Sequence, residues 1–267
     1  MTLKQKFIKY IAVFLAAFLI ASMSLAAFGV LSSLLGIEDK RDILSDYDNS
    51  LTVSSDVSIL KLNISASQVK IVKGEEFAAA TDNSEIEITE KGSVLEITEK
   101  KKLGIFEGDR LVIITVPENK VFDSVRISAG AGEMNIEALK AETLNMELGA
   151  GDIVFDSIEI SGSAAINAAA GELIVRSGRI NELEMNLAVG DVNLKAALTG
   201  KTEIDCAAGD IDIELAGEES DYSIEVDKGI SSCKFNGKEL KDDTRYGDGE
   251  NIIEIDGGIG DIEITTK

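Results

Sequence analysis

The feature that most constrains this chain is a ten-residue unit that returns about every 19 residues over its C-terminal half. It reads ISAGAGEMNI at 127–136, MELGAGDIVF at 146–155, INAAAGELIV at 166–175, MNLAVGDVNL at 185–194 and IDCAAGDIDI at 204–213. VDKGISSCKF at 226–235 is a worn copy, and IDGGIGDIEI at 255–264 is the last of the series. Start-to-start spacings are 19, 20, 19, 19, 22 and 29 residues. An outlying copy, LNISASQVKI at 62–71, carries Ser67-Gln68 where the others carry Gly and an acid. A repeat this short cannot bury an apolar face alone, so the units must stack on one another.

The pattern inside the unit says how. Positions 1, 3 and 5 are apolar or small, which predicts that they face one way with period two. The alternation already runs two residues upstream, at Val125, Leu144, Ala164, Leu183, Thr202, Ile224 and Ile253. After the Gly-acid pair the inward set becomes positions 8 and 10, as at Ile153 and Phe155 or Val192 and Leu194. The phase has slipped by one residue, which a straight strand cannot do while keeping one face buried. A corner or bulge can, and glycine tolerates the positive φ that such a corner needs. Each unit therefore reads as two short strands joined at a corner, followed by a connection back. Stacked at about 4.8 Å, the units form a coil of parallel strands. Leu148, Ala168, Leu187 and Cys206 should form one inward column. A helical reading fails because the apolar period is two, not 3.6. The expected fold is all-β: a single-chain β-solenoid of rungs about 19 residues long, preceded by one transmembrane helix.

Residues 57–126 are β-rich but less regular and read as an N-terminal cap with the first rungs; 127–267 hold the regular repeats. Ile86 and Ile88 should face Leu95 and Ile97 in a hairpin across Glu90-Lys91-Gly92-Ser93. Leu111 to Val116 should be a strand ended by Pro117, the only proline. The polar stretch 236–254 reads as a loop extruded from a late rung.

The first 37 residues are of another kind. Lys4, Lys6 and Lys9 precede a run from Tyr10 to Leu35 that holds no charged residue. As a helix the run would span roughly 39 Å, more than the hydrocarbon core of a bilayer. A signal-peptide core is shorter, about 7–15 residues. Cleavage at Ser24-Leu25-Ala26 is the alternative, but it would leave AFGVLSSLLGI as an apolar mature N-terminus. The expectation is therefore a signal anchor at 10–35 with a short cytoplasmic tail, the lysines inside and the remainder extracytoplasmic. Residues 38–56 read as a linker and 57–267 as the solenoid.

Composition narrows the chemistry. The net charge is -22, and without the three N-terminal lysines residues 38–267 carry -25. Such a surface repels nucleic-acid phosphates and favours cations, cationic peptides or basic protein faces. No histidine is present, which removes imidazole metal sites and histidine-based triads. With no tryptophan and 5% aromatics, flat platforms for sugars are scarce.

LKLNISASQVKIVKGEEF at 60–77, LVIITVP at 111–117, the Gly-Asp-Ile units and the terminal NIIEIDGGIGDIEI resemble a bacterial putative-adhesin family of uncharacterised function. The resemblance covers roughly 57–267 and implies a β-solenoid of the cell envelope, often behind a membrane helix. It supplies no catalytic residues.

Several side chains invite a chemical reading. Glu133, Asp152, Glu172, Asp191, Asp210 and Asp261 follow the corner glycines and could form a ladder of Ca²⁺ ligands. The plainer reading, favoured here, is a corner acid bonded to nearby backbone N–H groups. The G-G-x-G-x-D calcium motif is not matched, since Gly257-Gly258-Ile259-Gly260-Asp261 lacks the spacer. Outward position 2 holds Ser128, Glu147, Asn167, Asn186, Asp205 and Asp256, where stacked asparagines could bond along the coil. Asp205, Asp210 and Asp212 could supply a carboxylate pair, but acids occupy outward positions throughout. Arg126, Arg176, Arg179 and Lys195 sit at different repeat positions and mark no groove. Cys206 and Cys233 read as small core residues. No catalytic, cofactor or metal site is expected. The expected role is a non-catalytic, adhesin-like surface scaffold that meets an envelope protein or glycan. The alternatives are an accessory part of envelope-stress sensing and a polysaccharide-active enzyme.

Overall fold

The computed structural model describes residues 47, 49–100, 111–230, 232–242 and 244–267. The expected anchor at 10–35 and most of the 38–56 linker lie outside them. The described residues are all-β apart from one 3-10 turn at Glu219–Asp221. They build a coil of parallel strands, as the repeat requires.

Stacking follows the unit register residue by residue. Ile127, Met146, Ile166, Met185 and Ile204 are successive partners at position 1, and all are buried. Met134, Ile153, Leu173, Val192 and Ile211 do the same at position 8, and Ile136, Phe155, Val175, Leu194 and Ile213 at position 10. The column Leu148, Ala168, Leu187 and Cys206 is present at position 3. Leu187 and Cys206 are fully buried there, while Leu148 and Ala168 are half-buried against the core.

Position 5 departs from the expectation. Ala131, Ala150, Val189 and Ile259 are exposed. The inward run stops at position 3 because the chain begins to turn at position 4, so the Gly-acid pair completes a corner that is already under way. The connection back is also more than a connection. Leu139–Ala141 runs in register with 158–160, which in turn pairs with 178–180. A bulge between Ala141 and Thr143 separates this segment from the rest of its strand and shifts the inward phase. Each coil thus has three β segments, not two.

The order of rungs is not the order of the chain at either end. The terminal strands Asn251–Ile259 and Ile262–Thr266 pair with 201–208 and Ile211–Leu215 on one side. On the other side they pair with Tyr222–Asp227 and Cys233–Phe235. The last unit is therefore inserted beneath the worn copy, which becomes the outermost rung. At the other end Ile59–Ile64 lies between Val94–Glu99 and Phe122–Ala131. The chain lays down its second rung before its first.

Both ends of the stack are closed. The hairpin Ile86–Lys91 with Val94–Glu99 forms in a tighter register than expected: Ile88 lies opposite Ile97, but Ile86 faces Glu99 and Leu95 faces Glu90, because the turn takes only Gly92-Ser93. Ala78–Thr81 runs antiparallel to Leu111–Pro117 and is buried along its whole length. Asn49–Thr52, expected within the linker, is a strand on the edge of Ala78–Thr81. Glu99 ends the position-3 column, and its carboxylate accepts the N–H groups of Ser65 and Ala66 at 2.7 and 2.9 Å. At the far end the 236–250 segment folds back: Leu240 is buried and Tyr246 bridges to Ile224. Strand edges that would otherwise recruit other chains are thereby covered.

Candidate interaction surface

In the regular rungs the corner residue is glycine. Gly151, Gly171, Gly190 and Gly209 have φ between +135° and +146°, a region closed to other L-residues. A Cβ at any of them would fall 1.7–2.0 Å from the carbonyl oxygen of the corner glycine one rung away. The acid that follows locks the same corner. Asp152 accepts the N–H of Glu172 at 3.0 Å, Asp191 that of Asp210 at 2.9 Å, and Asp210 that of Asp261 at 2.8 Å. Each of these carboxylates satisfies a backbone donor of the neighbouring rung, which is the reading favoured from the sequence. Asp261 accepts the Ser232 hydroxyl at 2.7 Å, and its carboxyl is held below the usual value by bonds from that residue. Glu172 is the exception, raised by partial burial and then by Asp152 and Asp191 on either side. Among the described residues no group of three or more Cys, Asp or Glu side chains converges as a metal site would.

The outward rows change character along the coil. Asn186 Nδ2 donates to Asn167 Oδ1 at 2.9 Å, so the asparagine ladder exists at that step. Beyond it the rows turn acidic. Position 2 continues through Asp205, Asp256 and Asp227. The residue before each unit stacks Glu184, Glu203, Glu254 and Glu225 alongside. Burial and then Asp256, Glu203 and Glu184 push the Asp205 carboxyl up. Lys201 reaches into this patch, pairing with Glu203 and with Glu254 at 3.0 Å, and those bonds raise its own pKa. The glutamate row was legible by comparing the residue before position 1 across units, a position the repeat reading left aside. Charge is uneven along the whole chain: residues 137–267 hold 29 acids and 11 bases, -18 of the total -22.

The other singled-out side chains are not brought together. Asp205 faces out from the long-strand sheet, Asp210 occupies a corner, and Asp212 faces out from the short-strand sheet beside Glu263. Asp212 is raised by burial and then by Glu263. Arg176 pairs with Asp156, and Lys195 with Glu214 at 3.8 Å, on separate stretches of surface. Arg126 stacks between Lys61 and Asn145, and Arg179 between Glu159 and Ala197. Cys206 and Cys233 are free, buried thiols on different sheets with the inserted terminal rung between them. Burial pushes Cys233 to about 11 and also raises Cys206, so neither is a ready nucleophile.

A shallow concavity runs along the coil. Positions 2 to 4 of four successive rungs line a shallow, open groove of about 470 Å³. Leu148, Ala168 and Leu187 form its floor, and Ala169, Ala188 and Ala207 one side. Glu147, Asn167, Asn186 and Asp205 form the other side, and the described residues that line it include no lysine or arginine. Beside it the exposed position-5 residues make an apolar ridge, on which Val189 is 41% and Ile259 62% exposed.

Most of the rungs and their glycine corners fall within a family match: residues 57–250 match the Toastrack DUF4097 family. The chain belongs to that family. Similar solved structures include a putative cell adhesion protein from Clostridium sporogenes, 17% identical over 82% of this chain and 98% of that one, with TM-score 0.36. A putative adhesin from Parabacteroides distasonis is 14% identical over 80% and 95%, with TM-score 0.47. One from Bacteroides fragilis is 14% identical over 81% and 95%, with TM-score 0.38. No curated protein matches the chain.

Proposed function

We propose that this chain is a non-catalytic interaction scaffold of the bacterial envelope, anchored by residues 10–35 and displayed outside the cytoplasmic membrane. The observation that carries the reading is the stack itself. Successive rungs repeat the same outward positions, so the molecule presents continuous rows of side chains rather than a pocket. Asp205, Asp210 and Asp212 stand on separate parts of the surface, and the acids that do cluster lie in solvated rows with no imidazole or exposed thiol beside them. Both thiols are buried. An extended, rigid surface of this kind suits contact over a large area. The adhesin names of the neighbours accord with this role, and the lysine bias before the apolar run supports the topology.

The test is made in cells. A photoreactive amino acid is placed at outward positions of both sheets, for example at Ile174 and Ala188, and wall-stripped cells are irradiated. Discrete adducts from at least one face, with protease removing the solenoid from outside, are expected. Full protection from protease, or no adduct from any face, would refute the reading. So would turnover of an envelope polysaccharide that is abolished by Asp205→Asn or Asp212→Asn.

A further inference from the structure

We infer that the axial groove at positions 2 to 4, with the position-5 ridge beside it, is a docking surface for an extended, basic and apolar polypeptide segment of a partner protein. The inference rests on the scaffold reading and names the chemistry of its partner.

Two independent features point to one occupant. The first is exposed apolar surface. Ala169, Ala188 and Ala207 are exposed on the corner side of the groove, with Val189, Ile259 and Ile230 beyond them and Ile230 86% exposed, whereas the floor of Leu148, Ala168 and Leu187 is half-buried or buried. The Ile230 N–H donates to the Gly258 carbonyl at 3.0 Å, which carries this apolar edge onto the outermost rung. Contiguous exposed apolar surface rimmed by polar groups marks contact sites.

The second feature is charge. Glu147 and Asp205 stand in the groove wall, and the corner acids follow the ridge on its far side. The apolar strip thus has carboxylates at both ends of its wall and along the corners on its far side. Burial and then repulsion from Asp256, Glu203 and Glu184 raise Asp205, and cations brought alongside would relieve the repulsion. An anionic lipid surface, a nucleic acid or a second copy of this acidic chain would add to the repulsion instead. A flat sugar ring would find no aromatic face among the lining residues. A polypeptide that alternates basic and apolar side chains meets both features. Lying edge-on along the groove, it turns its apolar groups to the alanine side and the ridge and its cations to the wall that holds Glu147 and Asp205. Four rungs span roughly 19 Å, the length of about six extended residues.

The test uses the full chain in a neutral detergent and a fluorescent twelve-residue peptide of alternating lysine and valine, read by anisotropy. Two control peptides replace valine by serine or lysine by glutamate. Ala188→Gln and Ala169→Gln fill the groove without changing charge, and urea midpoints confirm that each variant is folded. The lysine-valine peptide should bind at least tenfold more tightly than either control, and each filled groove should weaken it at least fivefold. Equal binding of the lysine-serine peptide would reduce the effect to general charge attraction and overturn the inference. Unchanged affinity in both filled-groove variants would also overturn it. Either failure leaves the scaffold reading standing, because cross-linking in cells samples the other faces as well.

Discussion

Gly190→Ala isolates what the corner ladder contributes to stability. Gly190 has φ +145°, and an added Cβ would lie 1.7 Å from the Gly171 carbonyl oxygen. The conformational strain alone costs about 1–3 kcal/mol. The collision adds to it, because ordinary contact begins near 3.4 Å and the shortfall is about 1.7 Å. The atom in the way is backbone, so the two rungs must part at the corner. Two bonds hold them there: Gly171 N–H to Val189 O at 3.1 Å and Leu173 N–H to Asp191 O at 2.9 Å. Weakening both adds about 1 kcal/mol each, for a total of about 3–5 kcal/mol. Gly92→Ala is the internal control: its φ is +58°, but nothing stands within 4 Å of the added Cβ. That change should cost only about 1 kcal/mol. Urea unfolding of the two variants against the parent gives both values. If Gly190→Ala costs no more than Gly92→Ala, the stacked corners do not bear on stability and the argument fails.

Leu187→Asp should destabilise by about 4 kcal/mol, since it puts a charge into a buried column, whereas its outward neighbour Asn186→Ala should cost under about 1 kcal/mol. Equal effects in urea unfolding would contradict the inward register. The Thr202 hydroxyl is buried with no hydrogen-bond partner among the described residues, so Thr202→Val should raise stability by about 1 kcal/mol; a loss would mean that the hydroxyl is satisfied. Glu172, Asp205 and Asp212 all titrate above their ordinary values of 4.5 and 3.8. They bind protons more tightly folded than unfolded, so just above those values stability should rise as the pH falls, provided other carboxylates do not mask it. In the Asp205→Asn, Asp212→Asn double variant that slope should flatten and neutral-pH stability increase; an unchanged slope would refute the assignment.

The repeat could be read because an inward column imposes the same demand at the same offset in every rung. Positions 1, 8 and 10 stay apolar for that reason, and the corner glycine persists wherever a Cβ would meet the next rung's carbonyl. Surface rows carry no such demand, so the acidic patch of Glu184, Glu203, Glu254 and Glu225 appears only once the rungs are laid side by side. The groove was hidden for a related cause. Position 5 looks inward by alternation, and only the observed corner turns Val189 and Ile259 out to make its ridge.

The sequence by itself determined the period, the inward phase at positions 1, 8 and 10 and the buried column Leu187–Cys206, since these depend on local chemistry repeated many times. Tertiary structure decided the order of stacking. Units 226–235 and 255–264 present nearly the same inward pattern, so pattern alone cannot say which rests on 204–213. Ile255 pairs with Ile204 and Val226 lies one rung further out. The terminal unit keeps the corner pair Gly260-Asp261, and Asp261 donates its N–H to Asp210. The worn copy has Ser231-Ser232 at those positions, and Ser232 instead donates its hydroxyl to Asp261 from the outermost rung. The intact corner of the terminal unit thus bonds to both of its neighbours, which holds it inside the stack and leaves the worn copy outermost.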